Sequence, residues 1–190
     1  ANSASVALPK KVTSIRDAVM FLGTKQVRQL ALTVGVFDLF VGKNDRESLR
    51  RRAWWRHSLD AAVCCKWLAC RFPEELRPEE AYTCGLLHYI GRTVLDRADP
   101  QLYEKVMLAS ERGVPVREAE KHFFGCDHVQ VARGVAIKWG FPDMLAEGLN
   151  YAECPGNDGH FARLRACVAL GAALADMVIG GTSPAEDCPV

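Results

Sequence analysis

Apolar residues recur along this chain with the 3.6-residue period of helices, and no stretch keeps the strict alternation of a half-buried strand. Ser14 is placed to cap a first helix whose stripe is Ile15, Ala18, Val19 and Leu22, and Gly23 ends it. Thr24 caps a second, with Val27, Leu30, Val34, Phe37 and Val41 on one face. After a break at Gly42–Asp45, a long helix is expected from near Arg46 to about Phe72. Pro73 and Pro78 bracket a loop, and Pro78 suits the first turn of the next helix, expected over Glu79–Arg97. Asp99-Pro100 opens another, which ends at Gly113, and Val116–Phe124 forms a short one. Asp127 caps a helix that should turn Val129, Ala132, Val135, Ala136 and Trp139 inward and stop at Gly140-Phe141-Pro142. A helix from Pro142 to about Tyr151, a loop over Glu153–Gly159 and a last helix over His160–Ile179 complete the pattern. The class is therefore all-α, a multi-helix globule of about nine helices. Residues 182–190 look like a frayed tail.

Composition narrows the picture. A chain of 190 residues suits one domain with small appendages. A net charge of +1 exerts no general pull on nucleic acid or membrane. The longest apolar stretch, Cys167–Gly181, is interrupted by Asp176 and falls short of the roughly 18 residues of a membrane span. Ala1–Lys11 lacks the charged-then-apolar order of a signal peptide and reads as the start of a fragment. The eight cysteines form no C-x-x-C pair and mostly lie in apolar helical patterns. They read as reduced thiols of a cytoplasmic protein and lack zinc-ligand spacing.

Chemistry concentrates at one place. Gly85-Leu86-Leu87-His88-Tyr89-Ile90-Gly91 sets an imidazole inside an apolar helix, with glycines that let other backbones come close. A buried histidine must find a hydrogen-bond partner or ligate something. Arg50-Arg51-Arg52-Ala53-Trp54-Trp55-Arg56 is the most basic run. Its plain reading is a helix with a solvated arginine face, a buried Trp and ion pairs to Asp45, Glu47 or Asp60; the alternative is phosphate or nucleotide binding through Arg52 and Arg56. His128, beside Asp127, sits in a first helical turn or serves as a further ligand contact, and His122 reads as solvated.

Several segments, in order, resemble the HDOD branch of the HD-domain phosphohydrolase superfamily. Val12–Gly23 resembles its V-x-S-I-x-x-A-I-x-x-L-G, Val27–Leu32 its V-x-x-L-A-L, and Trp55–Ala61 its W-x-H-S-x-x-A. Gly85–Gly91 resembles the superfamily's G-L-L-H-D-I-G. The run from Phe124 through Asp127 and His128 to Pro142 resembles G-x-D-H-x-x-V-G-x-x-L-x-x-W-x-L-P, and Leu174-Ala175-Asp176 resembles a late L-A-D. The resemblance implies two helical lobes, with 1–42 part of the N-terminal lobe and 43–181 an HD-like core. Ala1-Asn2-Ser3-Ala4 looks like the end of a family helix, so the resemblance implies earlier helices; without them the Ile15–Leu22 stripe is left exposed, which favours a homodimer or poor solubility.

In HD enzymes a first His, a His-Asp pair and a late Asp hold metal. Carried over, these are His57, His88 with Tyr89, and Asp176. Tyr89 stands where the pair's carboxylate belongs, and a phenol with an unperturbed pKa of about 10 is neutral near pH 7. The site loses one negative charge and one hard oxygen, which disfavours paired cations. Asn150–Pro155 also lacks the His-His pair common in the family. The resemblance therefore implies a vestigial site in a non-catalytic output module of bacterial signal transduction, with no cofactor. Its partners would be signalling proteins or components of a cyclic-dinucleotide pathway, not DNA or membrane. Two alternatives stay open: a weak phosphohydrolase holding one divalent metal such as Fe, Mn or Zn at His57, His88 and Asp176, and a nucleotide-binding sensor.

Overall fold

A computed structural model describes residues 45–151 and 161–178, together with Val19, Met20, Gly23, Thr24, Val27, Val34, Phe37 and Phe40. The chain divides into two compact units, 1–38 and 39–190. In the first unit every described residue is helical, and Gly23 has a φ of 77°, the left-handed value at which a helix breaks. Val34 and Phe37 are exposed. The Ser14 cap, the stripe residues Ile15, Ala18, Leu22, Leu30 and Val41, the loop 153–159 with His160, and the tail 182–190 lie outside the described residues.

The second unit carries eight helices among its described residues, seven of them of nine residues or more, and no strand. They are α1 (Asp45–Ala69), α2 (Pro78–Leu87), α3 (Ile90–Ala98), α4 (Pro100–Glu111), α5 (Val116–Phe124), α6 (His128–Lys138), the six-residue α7 (Asp143–Gly148) and α8 (Ala162–Val178). The fold is all-α, as the periodicity requires.

Local caps explain several of these boundaries. Pro78 sits in the first turn of α2. Asp99 caps α4 by accepting from the Leu102 N–H at 2.9 Å. At α6, Asp127 accepts from the Gln130 N–H at 2.9 Å while the Gln130 side chain accepts from the Asp127 N–H at 3.1 Å, a complete capping box. Gly125 (φ 77°) and Gly140 (φ 67°) end their helices in the left-handed region.

Two expectations need correction. The helix expected over Glu79–Arg97 is two helices, broken at His88-Tyr89. Trp139, expected inside, is 47% exposed and stacks edge-on against Phe141 with ring centroids 5.8 Å apart. It lies past the end of α6, beyond the Val129, Ala132 and Ala136 stripe that does face the core.

α1 is the central element and packs along both α2 and α8. α3 packs on α6, and α4 on α5. The core joins Cys65, Ala69, Leu76, Ala81, Cys84, Val129, Tyr151, Leu164, Cys167, Val168 and Ala169. Small residues dominate it, so helices approach closely. A Cβ at Gly85 would come 2.8 Å from Ala62 Cα, and one at Gly91 would overlap the His128 carbonyl. That second contact presses the start of α3 onto the start of α6.

Candidate functional site

The break between α2 and α3 builds the site. His88 Nδ1 lies 2.6 Å from the Gly85 carbonyl, which can only accept, so Nδ1 carries the proton. The side chain thus takes a carbonyl that the helical ladder would otherwise use, and Tyr89 leaves the helix at φ −93°, ψ 6°. The turn brings His88 and Tyr89 against His57 of α1. Ring centroids are 5.0 Å apart for His57–His88, 4.5 Å for His57–Tyr89 and 4.1 Å for His88–Tyr89, and the phenol is stacked on the His57 ring at 22°. Asp176 of α8 completes the group, its Oδ1 3.2 Å from His57 Nδ1. His88 is fully buried, His57 and Tyr89 nearly so, and Asp176 opens the cluster to solvent.

His57, His88, Tyr89 and Asp176 are therefore neighbours, from three separate places in the sequence. Burial, and then the neighbouring His57, push the His88 pKa well below its ordinary value, so this ring is neutral. Its Nε2 is buried with no hydrogen-bond partner among the described residues. The Arg92 guanidinium lies 4.1 Å from the centre of the Tyr89 ring and caps its outer side.

Do these residues suit a metal ion? A metal ligand set needs donors converging on one point. Here Asp176 Oδ1 is engaged with Nδ1 of His57, at the opposite side of the ring from Nε2, and a neutral phenol fills the space beside both imidazoles. Among the described residues no group of three His, Cys, Asp or Glu is arranged to hold a metal ion. The residues present do not fit the superfamily's metal centre.

A second cluster adjoins the first. His128 is fully buried, not turned to solvent in its first-turn position. Glu120 Oε2 accepts from its backbone N–H at 2.8 Å and from its Nδ1 at 2.6 Å. Glu120 Oε1 accepts from the Tyr103 hydroxyl at 2.7 Å, and His128 Nε2 lies 3.2 Å from the Tyr151 hydroxyl. Burial works to raise the Glu120 pKa, but His128, Arg92 and the Tyr103 hydroxyl outweigh it and hold the carboxyl below its ordinary value. Tyr151 in turn sets its ring edge-on to His88 at 5.8 Å. The two clusters form one polar interior.

The arginine run divides. Arg52 and Arg56 are exposed, and Arg56 pairs with Asp60 on its own helix at 3.7 Å. Arg51 is 2% exposed and bonds Asp96 at 2.5 Å and Glu47 at 3.3 Å. Arg50 bonds the same Asp96 and reaches Glu104 at 3.0 Å. Trp54 is buried edge-on against Tyr103 at 5.4 Å. Asp96 and Glu120 escaped the sequence reading because charged residues are usually solvated. A signal existed for Glu120: it falls on the Val116, Ala119 stripe of α5.

The all-helical fold is HD-like. The chain belongs to the HDOD domain family, whose pattern it matches over residues 1–155. It is 28% identical to a candidate phosphohydrolase from Shewanella amazonensis SB2B, with a TM-score of 0.75 over 90% of this chain and 62% of that one. It is 27% identical to an HDOD domain protein of unknown function from Geobacter sulfurreducens, TM-score 0.75, over 96% of this chain and 61% of that one. The MmoQ response regulator of Methylococcus capsulatus str. Bath matches at 26% identity and a TM-score of 0.61, over all of this chain and 77% of that one. An uncharacterized protein of Treponema pallidum (strain Nichols) is 23% identical over 79% of the chain, which spans only 29% of that relative's length. No helix among the described residues is long and apolar enough to cross a membrane.

Proposed function

We propose that this domain is a non-catalytic output module of bacterial signal transduction, acting in the cytoplasm by docking signalling proteins or components of a cyclic-dinucleotide pathway, and needing no cofactor. One observation carries the reading: the Tyr89 phenol occupies the middle of the cluster, stacked on His57 and against His88, where a metal centre needs a carboxylate. A neutral ring adds no charge to balance a cation, and hydrolysis between paired cations requires that charge. The likeness to a response regulator supports the signalling setting.

The second reading is a one-metal phosphohydrolase, favoured by the 5.0 Å approach of the two imidazoles and by the likeness to the Shewanella protein. Metal content and hydrolysis of bis(p-nitrophenyl) phosphate by the purified protein, with and without Mn²⁺, separate the two. The module reading expects substoichiometric metal, unchanged in His88→Ala, and no chelator-sensitive turnover. Stoichiometric metal lost with His88 would overturn it. The sensor reading places phosphate on the exposed Arg52 and Arg56; saturable cyclic-dinucleotide binding abolished by Arg52→Ala or Arg56→Ala would favour it.

A further inference from the structure

Three thiols meet where α1, α2 and α8 converge. Cys65 and Cys84 are fully buried and Cys167 is 4% exposed. Two of the three touch reciprocally. Cys65 Sγ lies 3.7 Å from the Cys167 carbonyl oxygen, and Cys167 Sγ lies 3.5 Å from the Cys65 carbonyl oxygen. Each side chain therefore reaches the other's backbone, and the two sulfurs lie side by side across the α1–α8 contact.

The backbones are close at this point because glycine permits it. Gly171 follows Cys167 by one turn, and a Cβ there would overlap Cys65 Sγ and come 3.2 Å from Cys65 Cα. A disulfide needs Cα atoms within about 7 Å of each other, which ordinary helix pairs spaced 8–10 Å apart rarely offer. A glycine-mediated crossing does offer it. Filling the space would need only small apolar residues, for which a free thiol is one choice among several.

The two thiols also differ in reactivity. Hydrogen bonding between them holds the Cys167 pKa below its ordinary value and, together with burial, raises that of Cys65 well above it. Cys167 is also the one of the two with any exposure, 4% against none, so it is the sulfur that meets an oxidant first and Cys65 is the resolving thiol.

We propose that Cys65 and Cys167 are a redox pair that a hydroperoxide converts to a disulfide, clamping α1 to α8. The Cys167 sulfur attacks the peroxide; an S–O bond forms, the O–O bond breaks, and an alcohol (water, from hydrogen peroxide) leaves with the thiol proton. Cys65 then attacks the resulting sulfenic sulfur; an S–S bond forms, the S–O bond breaks, and the hydroxyl leaves as water with the Cys65 proton. The two thiols lose two electrons and two protons, and the peroxide takes them up. The bond closes a span of 102 residues. It also joins the helices that bring together His57, two turns before Cys65, and Asp176, beyond Cys167 on α8.

Peptide mapping of the full chain tests this. Trypsin leaves Cys64 with Cys65 and Cys167 with Cys188, so the chain carries Cys64→Ser and Cys188→Ser to make the masses unambiguous. After treatment with hydrogen peroxide, the expected product is an intramolecular Cys65–Cys167 peptide pair, two hydrogens lighter, reversed by dithiothreitol. The thermal midpoint of the oxidised protein should rise by several degrees, and Cys167→Ala should abolish both changes. Bonds that use Cys84, bonds between molecules, or Cys65 and Cys167 that stay open to alkylation in denaturant would each overturn the pairing. A Cys65–Cys167 bond without a rise in midpoint would overturn the clamp. The readouts on the unsubstituted Cys65 and Cys167 stand even if Cys167→Ala fails to fold.

Discussion

The phenol of Tyr89 lies on the imidazole of His57, ring centroids 4.5 Å apart and planes within 22° of parallel. The stack contributes twice: it buries an aromatic ring, and it fills the space beside both imidazoles where the resemblance puts a carboxylate. Replacing Tyr89 with Asp exchanges both contributions. Deleting a ring this buried costs about 3 kcal/mol, read as a lower urea midpoint in metal-free buffer. The new carboxylate would face two imidazoles, so Mn²⁺ should raise the thermal midpoint of Tyr89→Asp and leave the parent protein unmoved. An equal Mn²⁺ response in the parent would contradict the account of the cluster.

Asp96 is the one fully buried carboxylate shared by Arg50 and Arg51. Arg51 is itself almost inaccessible, so removing Asp96 takes away its nearer carboxylate and leaves a buried charge balanced less well, through Glu47 at 3.3 Å. Asp96→Ala should cost about 3–5 kcal/mol, as breaking a buried pair from one side does. Arg56→Ala, which breaks only an exposed pair with Asp60, should change stability by less than about 1 kcal/mol. Chemical denaturation of the two variants side by side gives the comparison, and near-equal effects would mean that burial is not what sets them apart.

Periodicity disclosed the helices, and three of them start at a residue with a local physical role, Pro78, Asp99 and Asp127. The break at His88-Tyr89 was not legible. Leu86, Leu87 and Ile90 continue a helical pattern across it, and only the His88–Gly85 hydrogen bond and the pressure of α6 on Gly91 reveal the turn. The residues of the site, His57, His88, Tyr89 and Asp176, came from motif order and do meet. Glu120, Tyr103 and Tyr151 did not, since their pairing is a matter of tertiary contact between charged or phenolic groups that sequence alone treats as solvated.

The buried titratable groups set a sign for pH dependence. His88 has a folded pKa well below 6.5, so below pH 6.5 the unfolded chain takes up a proton that the folded one refuses. Stability therefore falls as pH drops from about 6.5, with a slope approaching about 1.4 kcal/mol per unit for this one group. Glu120 has its folded pKa below 4.5; its contribution is present above that value and is lost as pH falls further through the folded pKa. Urea midpoints followed from pH 7.5 down to about 3 should decline below about 6.5 and again below about 4.5, and His88→Gln should flatten the first decline. Tyr103 acts at the other end: burial and Glu120 push its pKa well above 10, so alkali above that value also destabilises.

Two glycines separate backbone freedom from close approach. Gly134, on the exposed side of α6, has nothing within 4 Å of where a Cβ would stand. Gly134→Ala removes a poor helix former from a helix interior and should stabilise by about 0.5–1 kcal/mol. Gly91 carries the same helical preference, but its Cβ would overlap the His128 carbonyl and come within 3.0 Å of the Ala132 nitrogen, both backbone atoms that cannot step aside. Gly91→Ala must then part α3 from α6 and disturb the hydrogen bonds that Glu120 makes with His128. Its cost should exceed about 2 kcal/mol, as overpacking against a fixed backbone does. Thermal midpoints that move in opposite directions for the two Ala variants are the expected result; two gains would mean that α3 and α6 are not pressed together at this point.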